Sequence, residues 1–600
     1  MDFARRFCCL LMAAAFLAAA AQAQVQTSEL HVIVKDAKGA IVRGATVTAA
    51  EPDKGISRTM TSNAEGTAVL LSLPPGLYAV TVEAQGFAKL VQSSVRLTIG
   101  QVAELTVTLS VAAATETVTV SSEAELVETQ QTASGTTIDQ TRIENLPING
   151  RNYVNFALTN SQLTRDTTPS IGAAPTSGLN IGGQRGRANL VNIDGTDAID
   201  NAVNGIRSTV SQDAVQEFQI ITNGYAAEYG RASGGVINII SKSGTNDFHG
   251  SAFGYLRNRY IQATNPFSNV NQPDYTRAQY GIAMGGAIKK NRTYWFFSYE
   301  GTDRHETGFN TIGTNNFGLT SQADITRFVS AATGQPLPPG TVVVPVTPTQ
   351  ATFLGAVPIT PATINYALLV GTSGPVAIAG QNPLTTALGL GPHYFANTGS
   401  GFIPLPQSYV PMGSITGNFP VYELGNIYSL RLDHKINNDQ QLMLRGSVSP
   451  DIQNGIEVQA QGPQVFGQNS YSRTSINNFH DWSIIAEHTW TLGSNKVNEF
   501  RFQYARRSLN YTYSDTQGGS DVAVNIPGYA YFGREPFSYV QRVEQRYQFI
   551  DNFSITKGTH NIKFGVDYNY IPSTADFTVN FGGIYDFGAI DISGTPGLSP

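Results

Sequence analysis

From residue 246 onward the chain consists of segments of about ten alternating residues, joined by connections that are alternately short and long. The short connections are Lys290–Arg292, Asn437–Asp439, Gly493–Asn495 and Lys557–Thr559. The long ones cover residues 260–275, 306–424, 450–475 and 511–540. Transmembrane barrels sort their connections in this way, because periplasmic turns are short and extracellular loops are long. The pattern predicts about nine or ten strands of an antiparallel transmembrane β-barrel.

The predicted strands have one apolar and one polar face. In Glu499–Tyr504 every second residue is aromatic and those between are charged or amide residues, and residues 561–570 repeat the division. A soluble sheet also alternates, but aromatic residues near strand ends favour lipid on the apolar side. The aromatics assigned to such girdles are Tyr294, Trp295, Trp482, Trp490, Tyr568 and Tyr570. Charged residues are 14% of the chain, against roughly 25% in soluble domains, which also suits a membrane barrel.

The first residues predict a secretory signal peptide over residues 1–23. Arg5 and Arg6 precede an apolar run shorter than the ~20 residues of a spanning helix, and a small-residue cleavage site follows at Ala21–Ala23. Both cysteines, Cys8 and Cys9, lie in this peptide. The mature chain is therefore expected to have no disulfide and no cysteine-based site, and strands are expected to make any membrane crossing.

Residues 28–110 contain short alternating strands separated by Gly, Pro and Asn, which predicts a β-sandwich. They resemble the carboxypeptidase regulatory-like domain in Gly39, Gly44–Val47, Asn63–Gly66, Leu73–Tyr78 and Gly86–Phe87. The resemblance implies a domain without catalytic activity. His31 is interpreted as an ordinary strand residue and not as a metal ligand.

Residues 140–245 are rich in glycine and predict a mixed α/β domain. Within them Val215–Ile220 and Glu228–Gly244 resemble the plug domain of TonB-dependent receptors, and the run 140–260 is similar to the Oar-like branch, which also carries an N-terminal sandwich. The cluster Gly182–Gly186 lacks the Lys-Ser/Thr and the βαβ unit of a phosphate-binding loop, so no nucleotide or other cofactor is expected.

Five plug residues are expected to have structural roles. Gly234 and Gly235 allow the tight turns and close backbone approach that a plug inside a barrel needs. Arg185, Arg187 and Asp194 are expected to pair within the plug or with the polar barrel wall and not to contact substrate, because buried charges must be paired.

Residues 111–139 are rich in Ala, Thr and Glu and predict a linker. Within it, Glu116 is followed by the alternating residues Thr117, Val118, Thr119 and Val120. Such a segment can add itself as a strand to the sheet edge of a partner. By its position between the sandwich and the plug it resembles the TonB box, which implies binding to a TonB-type inner-membrane energy-coupling complex.

The fold class expected from these patterns and resemblances is mainly β: a sandwich, a mixed plug and a barrel. Because the resemblance implies a barrel of about 22 strands, residues 246–600 are expected to form only its N-terminal part.

The implied function is energy-coupled uptake, through the cell outer membrane, of a substrate such as a glycan, a peptide or a metal chelate that binds the extracellular loops and the top of the plug. The longest loop, 306–424, is either part of that binding surface or a tolerated surface insertion. The implied partners are the TonB-type complex, outer-membrane lipid and that extracellular substrate. The alternative is an outer-membrane structural, adhesion or secretion-related protein with the same architecture.

Composition and motifs argue against other classes. The net charge is -6 and no basic stripe gathers along any segment, so no nucleic-acid partner is expected. The eight histidines have no HExxH spacing and the chain has no GxSxG turn, so neither an enzyme nor a metal site is expected.

Overall fold

The computed structural model describes more than half of the chain. The described residues are 27–111, 117–120, 126, 133–145, 148, 151, 157–165, 179–201, 206–207, 210–263, 274–310, 395–397, 402–404, 417–457, 471–493, 495–515, 519–526, 530–535, 538–558, 560–578 and 581–586. The predicted signal peptide and Glu116 lie outside these residues. Within them, no helix combines the length and hydropathy needed to cross a bilayer.

An N-terminal β-sandwich consists of two facing sheets. Its strands are β1 (Ser28–Asp36), β2 (Thr46–Glu51), β3 (Ile56–Thr61), β4 (Thr67–Leu73), β5 (Gly76–Glu83), β6 (Lys89–Leu97), β7 (Val102–Leu109) and β8 (Thr117–Val120), with a 3-10 turn at Pro52–Lys54. One sheet has the order β4-β1-β7 and the other β3-β2-β5-β6-β8. Alternate residues such as Leu30, Val32, Val47 and Val80 are fully buried between them, as expected when two inner faces fill one core.

A mixed domain follows, with one short helix. Its elements are β9 (Ser134–Ile138), α1 (Gln140–Asn145), β10 (Leu163–Arg165), β11 (Leu179–Ile181), β12 (Leu190–Ile193), β13 (Thr196–Asp197), β14 (Val215–Asn223) and β15 (Val236–Ser241), with 3-10 turns at Gly186–Ala188 and Gln212–Ala214. Its main sheet has the order β13-β12-β15-β14-β9, with β12 parallel to β15. Every residue of β15 is buried, because this sheet is covered on both faces.

The remaining strands form a large curved sheet and small loop sheets. They are β16 (His249–Asn258), β17 (Tyr275–Lys289), β18 (Thr293–Asn310), β19 (Phe395–Asn397), β20 (Phe402–Pro404), β21 (Gly417–Lys435), β22 (Gln440–Glu457), β23 (Thr474–Thr491), β24 (Lys496–Tyr513), β25 (Ala523–Ile526), β26 (Ala530–Phe532), β27 (Val540–Lys557), β28 (His560–Tyr570), β29 (Ser573–Phe577) and β30 (Ile584–Asp586), with a 3-10 turn at Tyr471–Arg473.

The large sheet is antiparallel throughout and has the order β16-β17-β18-β21-β22-β23-β24-β27-β28. β29 pairs with β27 beyond the end of β28, so the two share one strand position. Ten strands therefore belong to this sheet among the described residues. Short connections alternate with long ones along it, as the sequence predicts.

The large sheet exposes its aromatic face and buries its polar face, which is the opposite of a sheet in a soluble protein. On β24, Phe500 is 41% exposed, whereas Arg501 is fully buried and Gln503 is 3% exposed. Trp490 and Phe549 are likewise exposed on neighbouring strands. A polar face that is buried and an aromatic face that is exposed fit a barrel with hydrocarbon outside and a polar lumen.

One girdle assignment is wrong. Tyr294 is only 3% exposed, and its hydroxyl donates a 3.3 Å hydrogen bond to Oδ1 of Asn246 inside the barrel. The physical reason is strand parity, because Tyr294 alternates with Trp295 along β18 and so faces the lumen.

Candidate functional site

The mixed domain lies against the inner face of the large sheet. Its apolar core, which includes Phe218, Ile237 and Ile239, also contains Ala283 and Phe296 from β17 and β18. The inner face is otherwise polar, and charged contacts also join it to the domain. The domain therefore occupies the position of a plug.

The first of these contacts starts from a tight turn between β12 and β13. Asp194 and Gly195 both have positive φ, 46° and 69°, as a two-residue type I′ hairpin turn requires. The Asp194 carboxylate accepts hydrogen bonds from the backbone N–H of Ser241 at 2.9 Å and from its hydroxyl at 2.8 Å. It also forms an ion pair with Nε of Arg445 on β22, at 2.7 Å. Asp194 is thus paired both within the plug and with the barrel wall.

Two further plug carboxylates follow at three-residue intervals. Asp197 Oδ2 accepts from Nη1 of Arg546 at 2.7 Å and from Nη1 of Arg231 at 2.6 Å. Asp200 accepts a hydrogen bond from Arg542 and lies 3.5 Å from Nε of Arg507. Arg231 belongs to the plug, so Asp197 joins the plug to one barrel arginine and Asp200 joins it to two.

These three aspartates and their barrel arginines form what we call the plug lock: Asp194, Asp197, Asp200, Arg431, Arg445, Arg507, Arg542 and Arg546. All three carboxylates are buried. Removing one partner of a buried ion pair costs about 3–5 kcal/mol, because the other charge is left uncompensated. The plug lock is therefore sensitive to the loss of any one charge.

A plug arginine lies among these groups. Arg207 donates a 2.6 Å hydrogen bond to the backbone carbonyl of Asp197. Burial, reinforced by the nearby Arg546 guanidinium, lowers the pKa of Arg207 to about 10, so it stays charged at neutral pH.

A second set of contacts joins the plug to the first strands of the large sheet, β16 and β18. Arg151 forms an ion pair with Asp213 within the plug, and its Nε donates to Oε1 of Glu300 on β18 at 3.1 Å. Its guanidinium lies 3.7 Å from the centre of the Phe253 ring on β16, a cation–π distance.

The other predicted plug residues are placed as follows. A Cβ at Gly234 would lie 2.4 Å from Oδ1 of Asn189, and one at Gly235 would lie 2.6 Å from Cγ2 of Ile181. Both glycines therefore permit a close approach between plug segments. Arg185 is exposed at the start of the 3-10 turn, and the side chain of Arg187 lies outside the described part of the chain.

The sandwich contacts the base of the plug. Glu217 Oε1 accepts a hydrogen bond from the backbone N–H of Ile99 at 2.5 Å, and Gln219 Nε2 donates to the Ile99 carbonyl at 3.0 Å. Gln216 Nε2 also donates to the carbonyl of Pro75, at 2.8 Å. Burial under the sandwich raises the pKa of Glu217 to about 7, despite the Ile99 N–H.

The sandwich also contacts the end of the barrel at which the short connections lie. Asn246 donates from its backbone N–H to the carbonyl of Asp53 at 2.8 Å, and Lys435 Nζ donates to the carbonyl of Gly55 at 3.3 Å. Glu29 pairs with Lys563 of β28 at 2.7 Å. Although burial opposes it, a hydrogen bond to His31 and the charge of Lys563 lower the pKa of Glu29 to about 2. Since short turns are periplasmic in such barrels, the sandwich covers the periplasmic end.

The segment that resembles the TonB box is ordered as a strand over Thr117–Val120. This strand, β8, pairs in parallel with β6 at the edge of the sandwich, and Ser93 Oγ donates a 3.1 Å hydrogen bond to the carbonyl of Val120. Sequence reasoning identified the segment as a strand donor but did not place it on this edge.

Sequence reasoning also missed Arg151, Asp197 and Asp200. The available signal was the three-residue spacing of Asp194, Asp197 and Asp200, together with arginines on the polar positions of the barrel strands. Among the residues that the structure describes, no group of three His, Cys, Asp or Glu side chains is arranged to hold a metal ion.

Comparisons with known proteins identify relatives of both halves. Residues 240–599, more than half of the chain, match the family described as "Outer membrane beta barrel domain", and residues 29–110 match the "Carboxypeptidase regulatory-like domain". The chain is 28% identical over 261 residues to the TonB-dependent transporter Oar of Myxococcus xanthus, a match covering 42% of this chain and 24% of Oar. That relative is named as a transporter and not as an enzyme, in agreement with the sequence prediction.

Two solved structures are similar at low identity. The outer membrane transporter YddB from Escherichia coli has a TM-score of 0.43 at 10% identity, covering 74% of this chain and 48% of YddB. A ferric enterobactin receptor (PfeA) mutant from Pseudomonas aeruginosa has a TM-score of 0.41 at 10% identity, covering 73% and 49%. The chain spans about half the length of these structures and its match spans about a quarter of Oar. The resemblance to Oar-like TonB-dependent receptors and to the regulatory-like domain is confirmed.

Proposed function

Because the chain belongs to the outer membrane beta-barrel domain family, we propose that it belongs to a receptor for energy-coupled uptake across the outer membrane. In this proposal the plug obstructs the barrel, residues 116–120 bind a TonB-type inner-membrane complex, and pulling on that segment rearranges the plug. The substrate is an extracellular glycan, peptide or metal chelate.

The plug lock is the observation that carries the proposal. A permanent stopper needs only apolar packing, whereas Asp194, Asp197 and Asp200 join the plug to the barrel through ion pairs. Ion pairs in a polar lumen can be exchanged for water when the plug moves, since both partners are well hydrated once water enters. Upstream of this obstruction lies an extended strand donor, which is the order of parts that a pulling mechanism requires.

The test compares two deletions of equal length. Removing residues 116–120 from the complete receptor in its native cells is expected to abolish uptake of whichever candidate glycan, peptide or metal chelate the unaltered cells accumulate. Removing residues 127–131 shortens the linker equally and is expected to leave uptake in place. Both variants should reach the surface in normal amounts. Undiminished uptake without residues 116–120 would contradict the proposal and favour the structural or secretion-related alternative.

A further inference from the structure

We propose that the edge of β6 is a docking site that holds segment 116–120 away from its energy-coupling partner, so that the sandwich and the partner compete for the same strand. The inference rests on the proposed function, because it assigns a control to the segment that the proposed function uses.

The docking contact involves every described residue of the segment. Thr117, Val118, Thr119 and Val120 stand opposite Lys89, Leu90, Val91 and Gln92 in parallel register. The Ser93 hydroxyl extends the contact beyond this ladder by donating to the Val120 carbonyl at 3.1 Å. The backbone groups on this side of the strand are therefore already used.

A second point of attachment lies further along the linker. Leu126 packs against the apolar core of the sandwich, together with Met60, Ala84 and Phe87. The chain is therefore attached to the sandwich on both sides of the interval 121–125, and undocking of β8 alone leaves the segment close to the domain.

Docking limits the distance that the segment can cover. The sandwich is tied to the plug through Ile99 and to the barrel through Lys563, so the segment cannot move away independently of the sandwich while Val120 is paired. After release of both β8 and Leu126, residues 121–133 connect the segment to β9 of the plug, and 13 extended residues span about 45 Å. Release therefore allows the segment to extend away from the barrel towards a partner.

The docked state is weak enough to be displaced. The ladder is only four residues long, and parallel pairing is slightly less stable per residue than antiparallel pairing. A partner that adds its own strand offers the same kind of backbone hydrogen bonds. The apparent affinity of the partner equals its intrinsic affinity multiplied by the fraction of receptor in which the segment is released, so docking weakens binding.

A reversible lock between β6 and β8 tests the competition. Val91 and Thr119 are opposite each other, and the spacing of neighbouring strands, about 4.8 Å, lies within the Cα separations that disulfides span. Residues 24–600 contain no natural cysteine, so V91C and T119C supply the one pair in this part of the chain. Binding of the purified C-terminal domain of the host TonB-type protein is measured on the complete receptor in detergent, oxidised and reduced.

The oxidised V91C/T119C receptor is expected to bind this probe at least tenfold more weakly than the same protein after reduction. T119C alone controls for the substitution within the segment and should be insensitive to reductant. Equal binding by the oxidised and reduced forms would overturn the competition and indicate that the partner reads the docked strand from its outer edge.

A second variant weakens docking without altering the segment. S93A removes the hydrogen bond to Val120 and is expected to tighten probe binding about fivefold, whereas S94A at the neighbouring position is expected to leave it unchanged. No tightening in S93A would contradict the inference. Absence of binding in every form, including the unaltered receptor, would overturn the proposed function and this inference with it.

Discussion

Replacing Asp197 by Asn tests whether the plug lock holds the plug in place. The substitution keeps the shape of the side chain and the oxygen that accepts the 2.7 Å hydrogen bond from the backbone N–H of Ile199. It removes the charge that faces Arg546, a side chain with no exposed surface. Arg231 is 39% exposed, so water replaces its share of the pairing and that pair adds little.

The expected cost is at the lower end of the range for a broken buried pair, about 3 kcal/mol. Arg546 keeps hydrogen bonds of 2.8 Å to Oδ1 of Asn569 and to the carbonyl of Ile199, which limit the loss. With a urea dependence of about 1–3 kcal/mol/M for a unit of this size, the midpoint for plug release falls by about 1–3 M.

The measurement is the protease susceptibility of the plug as a function of urea, in the complete receptor held in detergent. D247N is the matched control, because Asp247 is 90% exposed and its partner Lys290 is 71% exposed; no shift is expected there. The double variant D197N/R546M should recover part of the loss, since it removes the unpaired charge. A D197N midpoint equal to that of D247N would refute the role assigned to the lock.

Docking of the sandwich on the plug should weaken as the pH rises from about 4.5 to about 7. Burial raises the pKa of Glu217 from 4.5 to about 7. Between these two pH values the docked state therefore binds more protons than the undocked state, and raising the pH favours undocking. Cross-linking of sandwich to plug as a function of pH measures this, and E217Q should remove the dependence; a dependence that survives E217Q would assign it to another group. Gly235→Ala should destabilise the plug by about 1–3 kcal/mol, because its Cβ would lie 2.6 Å from Cγ2 of Ile181 and 2.8 Å from the carbonyl of Ile221. Gly254→Ala, with no atom within 4 Å, is the control in the same urea assay, and equal midpoints for the two variants would contradict the packing explanation.

The positions of the barrel strands followed from the sequence because the signal is local, but most strands are longer than the ten residues expected, with 18 residues in β24 and 19 in β21. Alternation places Arg501 and Gln503 on one face and Phe500 on the other wherever the strand lies, and the length of a connection is read directly along the chain. Tyr294 was assigned to the wrong face because its aromatic character alone does not say on which side of β18 it lies. The parity of its position along the strand decides that. The sandwich was predictable for a similar reason, since its turns and its two-residue period are both local.

The candidate site was predictable only in part. Asp194 carried a turn signal in the dipeptide with Gly195, but its pairing with Arg445 joins residues that are 251 positions apart. Likewise, nothing in Thr117–Val120 indicates whether the strand lies on β6 or on another protein, because backbone ladders form with any free edge.

By itself, the sequence determined where the barrel strands lie along the chain and that each has one polar and one apolar face, and it indicated the order of sandwich, linker, plug and barrel. Only the tertiary structure decided that Asp197 forms an ion pair with Arg546, that Glu217 accepts a hydrogen bond from the Ile99 N–H, and that β8 pairs with β6. The physical reason is that alternation is set by the backbone within a few residues, whereas the partner of a buried charge or of a strand edge depends on how distant segments are brought together around one lumen.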